Sequence, residues 1–530
     1  MKNFSTVAYS DTLAFSKLVN DYINGAETLR PFYEHAPTLD GIKNAIAQKA
    51  KHAVDRQLLV ATLRQQYEGF TLTKKQEANL EILLADNCFT ITTAHQPNLF
   101  TGPLYFLYKI IHAIKLADSL QSDFPDQFFV PVFYMGSEDA DLDELGHFYI
   151  DGEKRTWPTT QTGAVGRMKS KDIDPLIHKL AGQFLHLPHG QYMVNLLKDA
   201  YSKPTIQEAT LHLVNSLFAD YGLLVVVPDN AAFKRQFVPV IQQELKGGFS
   251  QPAVEATSSL LEQHYKLQVK GRPINMFYLD ASGARERIEK VGDDFIVESL
   301  GLRWTEAEII SLTESHPECF SPNVILRGVL QETLLPNIVF IGGGGELAYW
   351  LELKEVFAKA GVPYPVLLLR NSLLLLNEKQ QGLQQKLALS DTEMFLPLQS
   401  QQDLLAVRDG QLNDFDVAAE EQKLQEQYEH WQHVAGKIDV TLQPHVAALH
   451  TAAIKGLRGL HKKIKSAARR KLGEQGVQLI RLKKELFPTD NLQERIENAM
   501  PFLAQYGPSF LKDVYDASPV LNTTFTIVRL

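Results

Sequence analysis

Three short segments of this chain gather residue types that could do chemistry. The first is Ala94 to Pro103, where His95, Gln96 and Asn98 stand just after an apolar run, and Gly102 and Pro103 lead into a helical pattern carrying Lys109. Backbone N–H groups at a helix start attract anions, and imidazole and amide donors beside them suit a phosphate or a carboxylate. A structural turn with a satisfied histidine is the plainer alternative. The spacing is not that of a Walker A loop, since no G-x-x-x-x-G-K is present.

The second segment runs from Glu138 to Glu144, and five of its seven positions are acidic. A helix start uses one or two carboxylates, so this many invite a neutralising partner: a metal ion, a substrate ammonium or basic side chains. A solvated acidic helix start is the bland reading. The segment lacks the glycine and the twelfth-position glutamate of an EF-hand.

The third pairs Ser321 to Arg327 with Gly342, Gly343, Gly344 and Gly345, followed by Glu346 and Tyr349. Four consecutive glycines are costly in a folded element, and they make sense where backbone approaches a ligand or takes a positive φ. Arg327 could grip an anionic substrate through two parallel hydrogen bonds. A flexible surface loop would need neither.

Two further features carry less. Lys455, Arg458, Lys462, Lys463, Lys465, Arg469, Arg470 and Lys471 form a basic helix face, either solvated or an anion or nucleotide site. Cys88 and Cys319 lack the surroundings of a nucleophile; His316 near Cys319 is not by itself a catalytic pair.

The elements that must position these segments can be read from hydrophobic period. Residues 1–85 read as helical, with Asp11 able to cap a first helix and Leu58, Leu59, Ala61 and Leu63 marking a later one. Strands are expected at Cys88–Thr93, Phe128–Met135, Gly222–Val227, Ile338–Ile341 and Val366–Leu369, with a helix over Leu104–Leu120 between the first two. Apolar runs ending in polar or glycine-rich loops, with helices between them, indicate a doubly wound α/β core at 86–375, with insertions near 150–215 and 235–320. In such sheets ligands bind beyond the carboxyl ends of the strands.

From 376 to 490 three heptad series that do not share one register predict an antiparallel helical hairpin or a stuttered coiled coil. They are Leu424, Trp431 and Ile438; Val446, Ala453, Leu460 and Ala467; and Leu472, Leu479 and Leu486. Residues 491–530 return to the core, ending in a strand at Thr524–Val528.

Composition narrows the classes. With 530 residues, 45% hydrophobic and 22% charged, the chain is globular and long enough for two to four structural units. A formal net charge of −9 argues against bulk nucleic-acid binding. Two cysteines exclude a disulfide framework and suit a reducing cytoplasm. The first twenty residues lack a signal-peptide pattern, and no apolar run of 18 exists, so neither secretion nor membrane spanning is expected.

Taken in order, TAHQPNLFTGPLYFLYK, PVFYMGSEDADLDE, SPNVILRGVLQ, GGGGELAYW and LFPTDNLQER resemble the bacillithiol biosynthesis cysteine-adding enzymes, the BshC family, over nearly the whole chain. The resemblance implies a Rossmann-like core, inserted connecting segments and a C-terminal α-helical coiled-coil arm that forms a homodimer. It implies a cytoplasmic ligase joining the cysteine carboxyl to the glucosamine amine of glucosaminyl-malate, with ATP, and with Mg²⁺ if the nucleotide brings it. By location and residue type, His95, Glu138 and Asp139 would be catalytic, with Glu138 or Asp139 binding an ammonium or acting as base. Gln96, Asn98, Asn323, Arg327, Glu346 and Tyr349 would bind substrate, with Arg327 on a malate carboxylate. Thr101, Gly102, Lys109 and Gly342 to Gly345 would hold phosphate. Three positions depart from the family's usual motifs: His95 stands for a glutamine, Ala140 for a histidine and Gly344 for a proline. A dimeric nucleotide-binding scaffold or regulatory protein with a degenerate core is the second expectation.

Overall fold

In the computed structural model, which describes residues 4–412, 416–521 and 523–530, the first described element is a strand and not a helix. β1 (Phe4–Ala8) pairs antiparallel with residues Val528 to Thr524 at the other end of the chain, a partner no local periodicity can announce. α1 (Lys17–Ile23) follows. Its cap is Ser16, whose hydroxyl accepts from the Val19 N–H at 3.3 Å, while Asp11 lies in a preceding 3₁₀ turn. α2 (Leu39–Lys49) is capped in the same way by Thr38.

The expected core then appears almost residue for residue. β2 (Cys88–His95) leads to α3 (Tyr105–Asp123) and β3 (Phe128–Met135). β4 (Leu224–Val226) comes after an inserted run of helices. A second insertion precedes α4 (Val324–Leu334), β5 (Asn337–Gly342), α5 (Gly344–Trp350) and β6 (Val366–Leu369). The five strands form one parallel sheet in the order β6–β5–β2–β3–β4. The chain runs outward from β2 to β3 and β4, then crosses back to β5 and β6. The order therefore reverses between β2 and β5, where Thr93 pairs with Ile341. Parallel strands are covered on both faces, which explains runs that are continuously apolar and not alternating. Ile42 and Ala45 of α2 and Ala113, Leu116, Ala117 and Leu120 of α3 pack on Phe89, Ile91, Ile341, Val366 and Leu368. Burying a large aliphatic or aromatic side chain of this kind stabilises by about 1.5–3 kcal/mol.

Contacts divide the chain into two units. One is built mainly from Ala14–Leu375 and Asn491–Val528, and it contains the five-stranded sheet. β7 (Leu373–Leu376) closes its last stretch.

The other unit is mainly Leu376–Asp490. Here α6 (Val417–Ile438) and α7 (Gln443–Lys471) form the antiparallel hairpin, with Pro444 in the first turn of α7, and α8 (Gly473–Leu486) follows a break at Gly473, φ 53°. Tyr428 meets His450 across the hairpin at 5.3 Å between rings. The basic face of α7 is partly neutralised: Arg458 pairs with Glu421, and Lys465 and Arg469 both pair with Asp403. Leu472, Leu479 and Leu486 are buried, whereas Trp431 and Ile438 are 53% and 79% exposed. β8 (Thr524–Arg529) ends the chain beside β1 and β7.

Candidate active site

A cleft of about 720 Å³ opens at the carboxyl ends of β2, β3 and β5, at the strand-order reversal. It lies wholly within the unit that holds the sheet.

The loop after β2 contributes His95 and Gln96 to this cleft. The ring of His95 is packed against Tyr105 and Phe106, with centroids 5.4 and 5.5 Å away. Its Nδ1 lies 3.1 Å from the Gln96 carbonyl oxygen. A carbonyl only accepts, so Nδ1 carries the proton and Nε2 keeps its lone pair. Burial, reinforced by Lys109, pushes the imidazole down to about 3, so the ring is neutral. The expected imidazole donor for an anion is therefore an acceptor here.

Asn98, Thr101 and Gly102 do not line the cleft. They shape the turn beneath it. Phe100, Thr101 and Gly102 have φ of 52°, 70° and 64°, three successive residues in the left-handed region. The turn is held by Tyr201, whose hydroxyl accepts from the Phe100 N–H at 2.7 Å, and by Asn498, whose amide donates to the carbonyls of Phe100 and Gly102 at 2.9 and 2.6 Å. A Cβ on Gly102 would meet Asn98 at 2.8 Å.

Lys109 is buried one turn into α3, where its ammonium donates to the Ala94 carbonyl at 2.9 Å and forms an ion pair with Glu346. Two of its three N–H donors are thus engaged within the protein, where it positions Glu346 at the edge of the cleft. Burial opposes ionisation of Glu346, but the Lys109 ammonium and the Gly343 N–H outweigh it, and the carboxyl is held below its ordinary value. The same carboxylate accepts from the Gly343 N–H at 2.8 Å.

The acidic segment resolves into separate jobs. Glu138 is buried and forms an ion pair with Lys234, while the Ser321 hydroxyl donates to its other oxygen at 3.2 Å. Lys234 also donates to the Glu318 carbonyl at 3.0 Å. With both oxygens occupied, Glu138 is tied into the wall and is not placed as a free base. Asp139 lines the cleft beside it. Its Oδ2 accepts from the Gln96 amide at 3.1 Å and its Oδ1 from the Ala140 N–H at 2.8 Å. Asp141 caps the short helix Leu142–Leu145. Lys234 relieves the repulsion at Glu138, but at Glu144 burial, together with Asp141 and Asp139, still pushes the carboxyl above its ordinary value.

The glycine run is not a left-handed loop, because none of its four residues has a positive φ. Gly342 ends β5 and stays outside the cleft. A Cβ there would meet the Phe340 ring at 2.9 Å. Gly343, Gly344 and Gly345 border the cleft, and a Cβ on Gly345 would meet nothing within 4 Å. Asn323 also borders it, but its side chain is committed: Oδ1 caps α4 through the Ile325 N–H at 2.9 Å, and Nδ2 donates to Asn275 at 2.8 Å.

Arg327, one turn along α4, reaches the cleft beside Tyr349, to whose hydroxyl it donates at 2.5 Å. It makes no ion pair with a carboxylate among the described residues. A largely buried guanidinium held only by a phenol is an unmet demand for an anion. Two more unmet groups line the cleft: the Tyr134 hydroxyl and Ser137 Oγ are buried without a hydrogen-bond partner. Native interiors leave such groups unpaired rarely, and a bound ligand or water is the ordinary explanation.

Sequence reasoning missed several lining residues. Arg370 follows β6, lies over the Tyr105 ring with Cζ 4.9 Å from the centroid, and pairs with Glu494 at 2.8 Å. Its place at a parallel-strand end could have flagged it. Arg285, Lys270 and Arg272 come from the second insertion, where no local pattern points to a site. Among the described residues no group of three or more His, Cys, Asp or Glu is placed to hold a metal ion, and no helix is long and apolar enough to cross a membrane.

Comparison with known proteins agrees with this architecture. Residues 3–371 match the model of the N-terminal Rossmann-like domain of bacillithiol biosynthesis BshC, and residues 373–530 match that of its C-terminal coiled-coil domain. A Flavobacterium psychrophilum protein named "Putative cysteine ligase BshC" is 37% identical over 529 residues, covering 99% of both chains. Proteins of the same name from Flavobacterium johnsoniae and Cytophaga hutchinsonii are 36% and 37% identical, over 99% of this chain and 99% of the former, and over 94% of this chain and 93% of the latter.

Proposed function

The chain belongs to the BshC family of bacillithiol biosynthesis, and from that premise we propose that it joins the carboxyl group of cysteine to the glucosamine amine of glucosaminyl-malate, at the expense of ATP. The observation that supports this most is Arg327, a largely buried guanidinium with a phenol partner and no carboxylate, in a cleft that also leaves Tyr134 and Ser137 unpaired. Two anionic substrates and a phosphorylated one would supply what these groups lack.

A carboxylate resists attack by an amine until one oxygen is converted to a leaving group. In this reading a cysteine carboxylate oxygen attacks a phosphorus of ATP, and the new O–P bond forms as the O–P bond to the leaving ADP or pyrophosphate breaks. The glucosamine nitrogen then attacks the acyl carbon. The C–N bond forms, the phosphate-bearing group leaves, and the proton of the nitrogen passes to Asp139. Gln96 orients that carboxylate through its 3.1 Å hydrogen bond. Gly343 to Gly345 give phosphate oxygens close access to backbone, and Arg327 offsets the charge that develops on transfer. His95, neutral with Nε2 as acceptor, receives a substrate donor. Mg²⁺ enters with the nucleotide, for which one or two protein carboxylates suffice. The arm carries the homodimer contact along its exposed apolar stripe at Trp431 and Ile438. The free thiols of Cys88 and Cys319 fit a cytoplasmic setting.

The test is turnover by purified protein given cysteine, glucosaminyl-malate and ATP. The reading expects one thiol product and stoichiometric AMP or ADP. Nucleotide binding without product would overturn it in favour of the scaffold.

A further inference from the structure

We propose that Arg285, and not Arg327, holds a carboxylate of the acceptor; this rests on the ligase reading above. Arg285 stands in the inserted strand Arg285–Arg287, which pairs with Met276–Leu279. Its guanidinium is fixed on three sides. Nε donates to Ser321 Oγ at 2.9 Å, Nη2 donates to the Pro322 carbonyl at 2.9 Å, and the plane lies over the Phe277 ring with Cζ 4.1 Å from the centroid. These contacts leave Nη1 without a hydrogen bond to protein among the described residues, and the side chain borders the cleft. Nothing about this group needs to move for it to bind an anion, so little ordering cost is left to binding.

Its electrostatic neighbours decide which anion. The carboxylates acting on Arg285 are Glu138 and Asp139, and neither forms an ion pair with it. Glu138 is already neutralised by Lys234. Arg285 is therefore an open guanidinium that feels Asp139, the residue assigned to the incoming amine. Arg327 has other company: Tyr349, Glu346 and Tyr134, on the side of the glycine run.

The chemistry of the acceptor supplies the rest. In glucosaminyl-malate the amine is on the sugar carbon next to the one that bears the malyl group. A site that takes the amine at Asp139 must hold the malyl carboxylates a few bonds away. Arg285 satisfies that requirement. Arg327, beside Gly343 to Gly345, is left for the cysteine carboxyl and the phosphate that activates it.

The experiment compares wild type, Arg285→Met and Arg285→Lys with two acceptors, glucosaminyl-malate and methyl glucosaminide, which lacks carboxylates. Arg285→Met should raise KM for glucosaminyl-malate about 10- to 100-fold, the range of a lost charged hydrogen bond, while KM for cysteine and ATP holds. With methyl glucosaminide all three proteins should match, and with glucosaminyl-malate Arg285→Lys should fall between wild type and Arg285→Met. An equal loss with both acceptors, or a loss that falls on cysteine or ATP, overturns the proposal. Calorimetric binding of the two glycosides without ATP keeps the test independent of turnover. Wild type preferring glucosaminyl-malate, with Arg285→Met erasing the preference, upholds the contact even where no product forms. In that case the ligase reading fails alone. Equal binding of the two glycosides to wild type, or none, overturns the contact.

Discussion

Lys109 and Glu346 form an ion pair that joins the helix leaving β2 to the glycine run leaving β5, across the point where strand order reverses. The two loops that border the cleft are thus set against each other by one pair of opposite charges.

That pair should show strong coupling. Lys109→Met strands the Glu346 carboxylate and Glu346→Gln strands a buried ammonium, and either should cost about 3 kcal/mol or more in urea unfolding. The double variant should recover much of the loss, because an uncompensated charge no longer remains. Additive losses would show that the pair does not act as a unit.

Acid should destabilise the protein through two histidines. His112 is buried; its Nε2 donates to the Val520 carbonyl at 2.9 Å and its Nδ1 accepts from the Asn371 N–H at 3.3 Å. Burial pushes His112 down to about 4 and His95 to about 3, from an ordinary 6.5 in the unfolded chain. Below 6.5 the unfolded chain therefore binds more protons than the folded one. Stability is full above that pH and falls as pH drops toward 4, by about 1.4 kcal/mol per pH unit for each histidine. Urea midpoints at pH 7 and pH 5 measure this, and His112→Asn should flatten the dependence by one histidine's share.

The two adjacent acids should separate by phenotype. Asp139→Asn should lower kcat about 10²- to 10⁴-fold with the unfolding midpoint unchanged. Glu138→Gln leaves the buried Lys234 ammonium with Asp229, 3.9 Å away, as its remaining carboxylate, and should lose up to about 3 kcal/mol of stability. Equal loss of kcat at full stability in both would refute the division of labour.

Two glycines should behave in opposite ways. Gly102→Ala forces a Cβ to within 2.8 Å of Asn98 at a φ of 64°, and about 1–3 kcal/mol of stability should go with it. Gly345→Ala meets open space within the first turn of α5, so stability should hold or rise by about 0.5–1 kcal/mol. Its effect should appear as a higher KM for ATP, where the new methyl group stands in the cleft.

The arm should govern association. Trp431→Asp, at a side chain 53% exposed on the apolar stripe, should give a monomer in sedimentation velocity, with the thermal transition of the sheet-bearing unit intact. A dimer that survives this change and Ile438→Asp together would place the contact elsewhere.

What could be read in advance follows from distance along the chain. Phe128–Met135 and Val366–Leu369 were legible to the residue because a buried parallel strand writes its whole length in apolar letters. The loops after β2 and β5 were legible because their composition breaks abruptly at a strand end. β1 was not, since its partner is the final strand. The role of Glu138 was not, since Lys234 reaches it from a helix 96 residues later. Arg285 was hidden for the same reason: it belongs to a ribbon whose place over the cleft is set by Ser321 and Pro322, not by its own neighbours.

The clamp of Asn498 on the turn at Phe100 and Gly102 has a bearing on biosynthesis of the protein itself. The two are 398 residues apart, so at about 5–20 residues per second the turn leaves the ribosome roughly 20–80 s before its clamp does. Throughout that interval the nascent chain carries the His95 loop without the amide that holds its left-handed turn. A chain released early, before Asn498, would retain the strands of the sheet and still lack a finished floor for its cleft.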